Sequence, residues 1–223
     1  MRPFTKTIHV FAVGLWFGMS IFFTFPVALS LIHAFEAEAA KSDKDRPAWL
    51  PLPAQFDKDP EKWIVPDSEK PLFKNAEEVR KEQGVRAFGA AVGPLFDWYF
   101  LLQGVCGLVA LAAALYWSRA EPTVKAHRLR VLVLLLALIT VVAGWPLERY
   151  VSVLRVARSQ NTDEVLKRAP DIPESVYHDA VAARQTFAAW HTVSLLLNFS
   201  TIALVTVAMA LAARLPSTHQ APG

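Results

Sequence analysis

The chain has 223 residues, of which 53% are apolar and 19% charged, and the charges are confined to segments that separate four apolar runs. This distribution is not that of a soluble domain. The formal net charge of +3 gives no support for nucleic-acid binding, and the single cysteine, Cys106, excludes an internal disulfide.

The first apolar run follows Arg2 and Lys6 and has no charged residue before Glu36. Signal-peptide cores have about 7 to 15 apolar residues, so this longer run predicts a retained membrane span over residues 8–33. Gly14 and Gly18 form a G-x-x-x-G pattern, which predicts close helix packing within the chain or between subunits of a homo-oligomer. Pro26 predicts a bend in this span.

Residues 36–94 form a polar insertion that is rich in proline up to Phe73. Proline-rich sequence of mixed charge predicts irregular structure. The pattern N-A-E-E from Asn75 then predicts a helix to about Phe88, because an N-cap residue is followed three positions later by an acid.

The second and third spans are predicted over residues 95–117 and 129–147, joined by a short basic segment. The third span continues as an amphipathic helix to about Arg158, and residues 159–172 are predicted to be a linker in which Thr162 caps a short helical turn. The pattern D-I-P-E from Asp171 predicts the start of a last helix that continues to Pro216. Residues 148–185 are therefore a helical extension of the bundle.

The fourth span, residues 187–213, contains no Asp, Glu, Lys or Arg. Its first half nevertheless carries His191, Ser194, Asn198 and Thr201 at steps of 3, 4 and 3, which places them on one stripe of a helix. An unsatisfied polar group facing lipid costs several kcal/mol by order of magnitude. The stripe is therefore expected to find partners on neighbouring helices.

The orientation follows from basic residues in the short segments. The N-terminal tail, residues 118–130 and Arg214 together hold seven Lys and Arg but one acid. The positive-inside rule then predicts a cell (inner) membrane protein with both termini in the cytoplasm, and with residues 36–94 and 148–185 outside.

With this orientation, ionisable and aromatic groups from several helices meet at the outer end of the bundle. Membrane-buried ionisable groups are functional candidates. Two interpretations stay open, an interfacial clasp in which Arg149 pairs with Asp97 or Glu148, and a ligand or metal site. The predicted polar cluster consists of Asp97, Glu148, Arg149, Trp190, His191, Ser194 and Asn198.

A metal site at this end would use His33, His191, Asp97 and Glu148, since imidazole binds copper, zinc and haem iron and carboxylates complete a shell. Neither C-x-x-C-H nor H-E-x-x-H spacing supports it, so no cofactor is expected, with haem or copper as the alternative. His9 begins the first helix at the opposite face and is expected to form a structural hydrogen bond.

The order of short motifs resembles transmembrane protein 205 and its bacterial relatives, a family without an assigned activity. The motifs are H-x8-G-M-x4-T-F from His9, LFDWYF at 95–100, W-x-L-E-R from Trp145, and R-Q-x-F-x3-H-x2-S-x3-N from Arg184. The resemblance implies a four-helix membrane protein but no reaction. The resemblance implies that His9, Glu148, His191 and Asn198 match the family's polar signature and that Gly18 is a further matching position in helix one. The Pro-rich outer insertion is longer than in the animal member.

The sequence therefore predicts an all-α protein, a four-helix transmembrane bundle with extended third and fourth helices and a small extracytoplasmic cap. It contains neither a G-x-S-x-G elbow nor a glycine-rich phosphate loop, which favours a non-enzymatic role. The predicted role is an accessory or binding component in contact with lipid and with a membrane or extracytoplasmic protein partner. The alternative is a metal- or haem-binding protein with a redox or transport role.

Overall fold

The computed structural model describes residues 3–41, 45, 47, 72, 73, 76–168 and 171–215. Within these ranges the chain is helical and contains no β-strand. The Pro-rich residues 48–71 of the predicted insertion lie outside the described residues. The helices are α1 (Pro3–Phe22), α2 (Ala28–Ala40), α3 (Ala76–Val92), α4 (Leu95–Ala120), α5 (Lys125–Arg168) and α6 (Glu174–Ala213).

Four helical segments are long and apolar enough to cross a membrane, namely Pro3–Ala40, Leu95–Ala120, Lys125–Arg168 and Glu174–Ala213. The predicted all-α class and the four predicted spans are thus confirmed, and the chain has the make-up of a multi-pass membrane protein. The third and fourth of these helices also extend beyond their apolar parts, as predicted.

The first segment is continuous but not uniform. A π-helical turn, Phe23–Val27, contains Pro26 and joins α1 to α2. Proline lacks the N–H that an α-helix requires, and a π turn is one of the local adjustments that accommodate it inside a long helix. The irregularity predicted at Pro26 is therefore present.

The predicted linker at 159–172 is wrong, because α5 continues through most of it to Arg168. Asn161 and Thr162 donate side-chain hydrogen bonds to the carbonyls of Ala157 and Arg158, one turn earlier in the same helix. Val165 and Leu166 are buried. Packing of this turn thus outweighs the weak helix propensity of its polar residues.

The chain forms two compact units. Unit 1 comprises Met1–Pro26, Phe96–Glu148 and Val193–Gly223, and unit 2 comprises Val27–Leu95 and Arg149–Thr192.

The core of unit 1 combines one large side chain with many small ones. Trp16 is fully buried and packs with alanines such as Ala110, Ala114 and Ala137. Small residues let helix backbones approach, which is the usual basis of helix association in membranes. The outward surface is apolar, with exposed residues such as Leu108, and suits contact with lipid.

Glycine contacts in unit 1 differ from the predicted ones. A Cβ on Gly14 would lie 3.9 Å from Met209, but one on Gly18 would meet nothing within 4 Å. The prediction of close packing is therefore wrong for Gly18 within this chain. The close approach occurs at Gly107, where a Cβ would lie 2.8 Å from the Trp16 ring.

Unit 2 contains α2 packed against α3. Gly84 lies at the contact, where a Cβ would be 2.7 Å from the Phe35 carbonyl oxygen. A small apolar core of Phe73, Val79 and Leu166 joins α3 to the end of α5.

Candidate functional site

The predicted polar cluster is divided between the two units. Asp97, Glu148, Ser194 and Asn198 belong to unit 1, whereas Arg149, Trp190 and His191 belong to unit 2.

In unit 1, both acidic members accept hydrogen bonds from neighbouring helices. Trp145 Nε1 on α5 donates to Asp97 Oδ1 on α4 over 2.6 Å. Ser194 Oγ on α6 donates to Glu148 Oε2 on α5 over 3.1 Å, and Glu148 is 8% exposed. The bond to the exposed Asp97 joins α5 to α4, and the bond to the buried Glu148, a carboxylate that needs donors, joins α5 to α6.

Asn198 joins three helical segments through one side-chain amide. Tyr99 on α4 donates its hydroxyl to Asn198 Oδ1 over 3.0 Å. Asn198 Nδ2 donates to Thr24 Oγ1, in the π turn, also over 3.0 Å. The Phe23 ring stacks on Tyr99 with a centroid distance of 4.6 Å and covers this junction.

The stripe on α6 thus finds interhelical partners, as predicted, at Ser194, Asn198 and Thr201. Thr201 donates its hydroxyl proton to the hydroxyl oxygen of Thr140 on α5 over 2.7 Å, and Thr140 donates in turn to the carbonyl of Ala137 in its own helix. These contacts tie the helices of unit 1 to one another, and the predicted pairing of Arg149 with Asp97 or Glu148 stays a prediction.

Sequence reasoning missed a polar pair deeper in unit 1. Trp16 Nε1 donates to Gln103 Oε1 over 3.2 Å, and both side chains are buried. The sequence did contain a signal for this pair, because Gln103 is the one side-chain amide in the apolar run of residues 98–117 and needs a hydrogen-bond partner there.

The end of unit 1 that includes His9 is also tied by polar contacts. His9 Nδ1 lies 3.0 Å from the Ala110 carbonyl oxygen, and its ring meets Trp117 edge to face. His9 is 1% exposed, which agrees with the predicted structural role.

Arg130 forms a second tie at this end that the sequence analysis missed. Its guanidinium donates to the carbonyl of Leu211 in the last turn of α6, with distances of 2.9 and 3.3 Å. It also lies 2.9 Å from His127 Nδ1. Because arginine can only donate, Nδ1 accepts, and His127 carries its proton on Nε2, which points to Glu121.

In unit 2, Trp190 and His191 form an exposed aromatic surface. His191 stacks on Phe187 with a centroid distance of 5.4 Å and an angle of 10°. Trp190 is 41% exposed and meets Tyr150 edge to face at 5.4 Å. Arg149 is exposed in the same unit.

Unit 2 also contains a cluster around Glu82 that the sequence analysis did not identify. Arg158 donates to Glu82, and Arg86 and Arg184 lie 3.6 and 3.7 Å from its oxygens. Arg86 also donates to Asp163 over 2.5 Å. The Glu82–Arg86 spacing of four residues on a helix was a weak signal for part of this cluster.

Among the residues that the structure describes, no group of three or more His, Cys, Asp or Glu side chains is placed to hold a metal ion. His33 is an exposed residue of α2.

Comparisons with protein-family models, curated proteins and solved structures find no match for this chain. Its resemblance to the transmembrane protein 205-like family therefore stays a prediction. What is shown is a protein with four helices suited to cross a membrane.

Proposed function

We propose that this protein is a non-enzymatic accessory or binding component of a membrane, in which unit 1 serves as the anchor and unit 2 carries the binding surface. The role is the one predicted from the sequence, but the binding surface is now assigned to Trp190 and His191, which are the exposed aromatic members of the predicted polar cluster. The unit 1 members form hydrogen bonds with neighbouring helices, as Glu148 does with Ser194. Such bonds hold a bundle together.

The observation that carries the proposal is the exposed pair Trp190 and His191. Each ring is held against a second ring, so its orientation is already set before a ligand arrives. Exposed aromatic side chains of fixed orientation lose little conformational entropy on binding, and tryptophan is enriched among residues that dominate binding energy. Imidazole adds a hydrogen-bonding group to this surface.

The test is native mass spectrometry of protein extracted in a mild detergent. We expect a bound mass on the wild-type chain that is strongly reduced by the double substitution Trp190→Ala and His191→Ala. Leu196→Ala is the matched control, because Leu196 is a 62% exposed apolar residue of the same helix. A bound mass that the double variant retains in full would refute the proposed surface.

The same preparation tests the metal alternative. An absorption spectrum and elemental analysis are expected to show neither haem nor stoichiometric metal. A Soret band, or copper at one ion per chain, would replace the accessory role with the metal- or haem-binding role.

The predicted orientation has its own test. Lys81→Cys in a Cys106→Ala background places one thiol on α3, at a residue whose side chain is 50% exposed. A membrane-impermeant maleimide is expected to label it in intact cells. Labelling only after permeabilisation would invert the topology.

A further inference from the structure

The cluster around Glu82 concentrates positive charge from three helices on one carboxylate. Arg86 lies on α3 with Glu82 itself, Arg158 on α5 and Arg184 on α6. The Glu82 side chain is 6% exposed, and those of Arg158 and Arg184 are 12% and 29% exposed. The site is therefore largely buried within unit 2.

The three arginines differ in their acceptors. Arg86 donates to Asp163 and to the Ser159 carbonyl, whereas the carboxylate that Arg158 and Arg184 face is that of Glu82. Within the described part of the chain, each of the three has one buried nitrogen without a hydrogen-bond partner, namely Arg86 Nε, Arg158 Nε and Arg184 Nη1.

Buried donors, rather than a surplus of charge, are what this cluster leaves unsatisfied. Among the described residues, the three guanidinium groups face the carboxylates of Glu82 and Asp163, and Glu78 also attracts Arg184. A buried N–H group without an acceptor is unfavourable. Further acceptor oxygens beside Glu82 would remove this cost.

The guanidinium groups of Arg158 and Arg184 are also held in place. Arg184 lies over the ring of Phe73 at 5.0 Å, and Arg158 lies over the ring of Phe187 at 4.9 Å. Stacking on an aromatic face fixes the plane of the donors and leaves their edges for an acceptor. Two guanidinium groups held in this way suit a phosphate group, because a phosphate offers more acceptor oxygens than a carboxylate does.

We infer that Arg158 and Arg184 form a binding site for a phosphate group next to Glu82. The phosphate belongs either to a lipid headgroup or to a soluble phosphorylated ligand, since both present the same oxygens. This site lies beyond the proposed function, because it needs neither Trp190 nor His191.

The experiment measures thermal unfolding of the full chain after lipid removal in detergent. One arm adds inorganic phosphate, with chloride at equal ionic strength as its reference. The other arm adds phosphatidylglycerol, with a phosphate-free glycolipid as its reference. Stabilisation by phosphate itself indicates a soluble ligand, and stabilisation by phosphatidylglycerol alone indicates a lipid headgroup.

Three variants decide whether the effect belongs to this site. Arg184→Gln is expected to weaken the apparent affinity for the effective probe about tenfold, because a charge-assisted hydrogen bond is lost. Arg184→Lys keeps the charge and the fold but not the planar fork, and a several-fold loss is expected. Arg128→Gln removes the same charge from an exposed position of unit 1 and is expected to bind as the wild type does.

Two results would overturn the inference. One is that neither probe stabilises the wild-type chain more than its reference does. The other is that both Arg184 variants respond like Arg128→Gln. Loss of probe binding in the Arg184 variants, together with a bound mass that the Trp190→Ala and His191→Ala double variant retains in full, would reject the proposed surface but support the phosphate site.

Discussion

Gly107→Ala tests the packing of unit 1, because its effect depends on a neighbouring side chain that lies far from Gly107 in the sequence. An added Cβ would lie 2.5 Å from Leu138 Cδ2 and 2.8 Å from the Trp16 ring. The leucine methyl can rotate away, but the ring would have to move to reach the ordinary contact range, which begins at 3.4 Å. Trp16 is fully buried and hydrogen-bonded to Gln103, so that movement disturbs both the core and a buried hydrogen bond.

Gly104→Ala is the matched substitution. Gly104 lies one turn earlier on the same helix, and a Cβ there would meet nothing within 4 Å. Both substitutions gain about 1 kcal/mol of helix propensity. Overpacking adds a cost of about 1–3 kcal/mol at Gly107 alone.

The expected difference between the two variants is therefore about 1–3 kcal/mol, with Gly107→Ala the less stable. At about 2–4 °C per kcal/mol for a chain of this size, its unfolding temperature in the same detergent should lie roughly 2–12 °C below that of Gly104→Ala. Equal unfolding temperatures would show that the Trp16 ring does not pack against Gly107 as described.

Three further substitutions test single contacts by the same unfolding assay. Asn198→Ala should destabilise the chain by about 1–3 kcal/mol, because the hydroxyl of the buried Tyr99 loses its acceptor. Ser200→Ala should have little effect, because the Ser200 hydroxyl bonds to a carbonyl of its own helix. Arg130→Gln should cost about 1.5–3 kcal/mol by removing charge-assisted bonds to the last turn of α6, and an equally strong effect of Arg128→Gln would contradict this. Gly84→Ala should cost about 1–3 kcal/mol in the packing of α2 on α3, since its Cβ would meet backbone at 2.7 Å, against a gain of about 1 kcal/mol in helix propensity, and a stabilised variant would disprove that contact.

Local sequence patterns were sufficient for the spans and for much of their polar chemistry. Runs of apolar residues predict membrane-spanning helices because the hydrocarbon core demands a length that few other structures need. The spacing of Ser194, Asn198 and Thr201 likewise predicted partners on other helices, because no polar group is tolerated facing lipid. The partners themselves were only partly foreseen.

The end of α5 shows where local patterns fail. Polar residues with weak helix propensity predicted a linker at 159–172, but burial of Val165 and Leu166 keeps most of that segment helical. Tertiary packing routinely overrides helix propensity, because burying an apolar side chain contributes more free energy than the difference in helix propensity between two residues.

The amino-acid sequence by itself determined that this is an all-helical membrane protein with four spans, two of them extended, and with a polar stripe on the last. Only the tertiary structure decided that Gly107 rather than Gly18 receives a neighbouring side chain, and that Glu82 gathers Arg158 and Arg184 from 76 and about 100 residues away. The physical reason is that a helix's length and composition are local properties. Its rotation about its axis, and therefore what each side chain touches, is set by all its neighbours together.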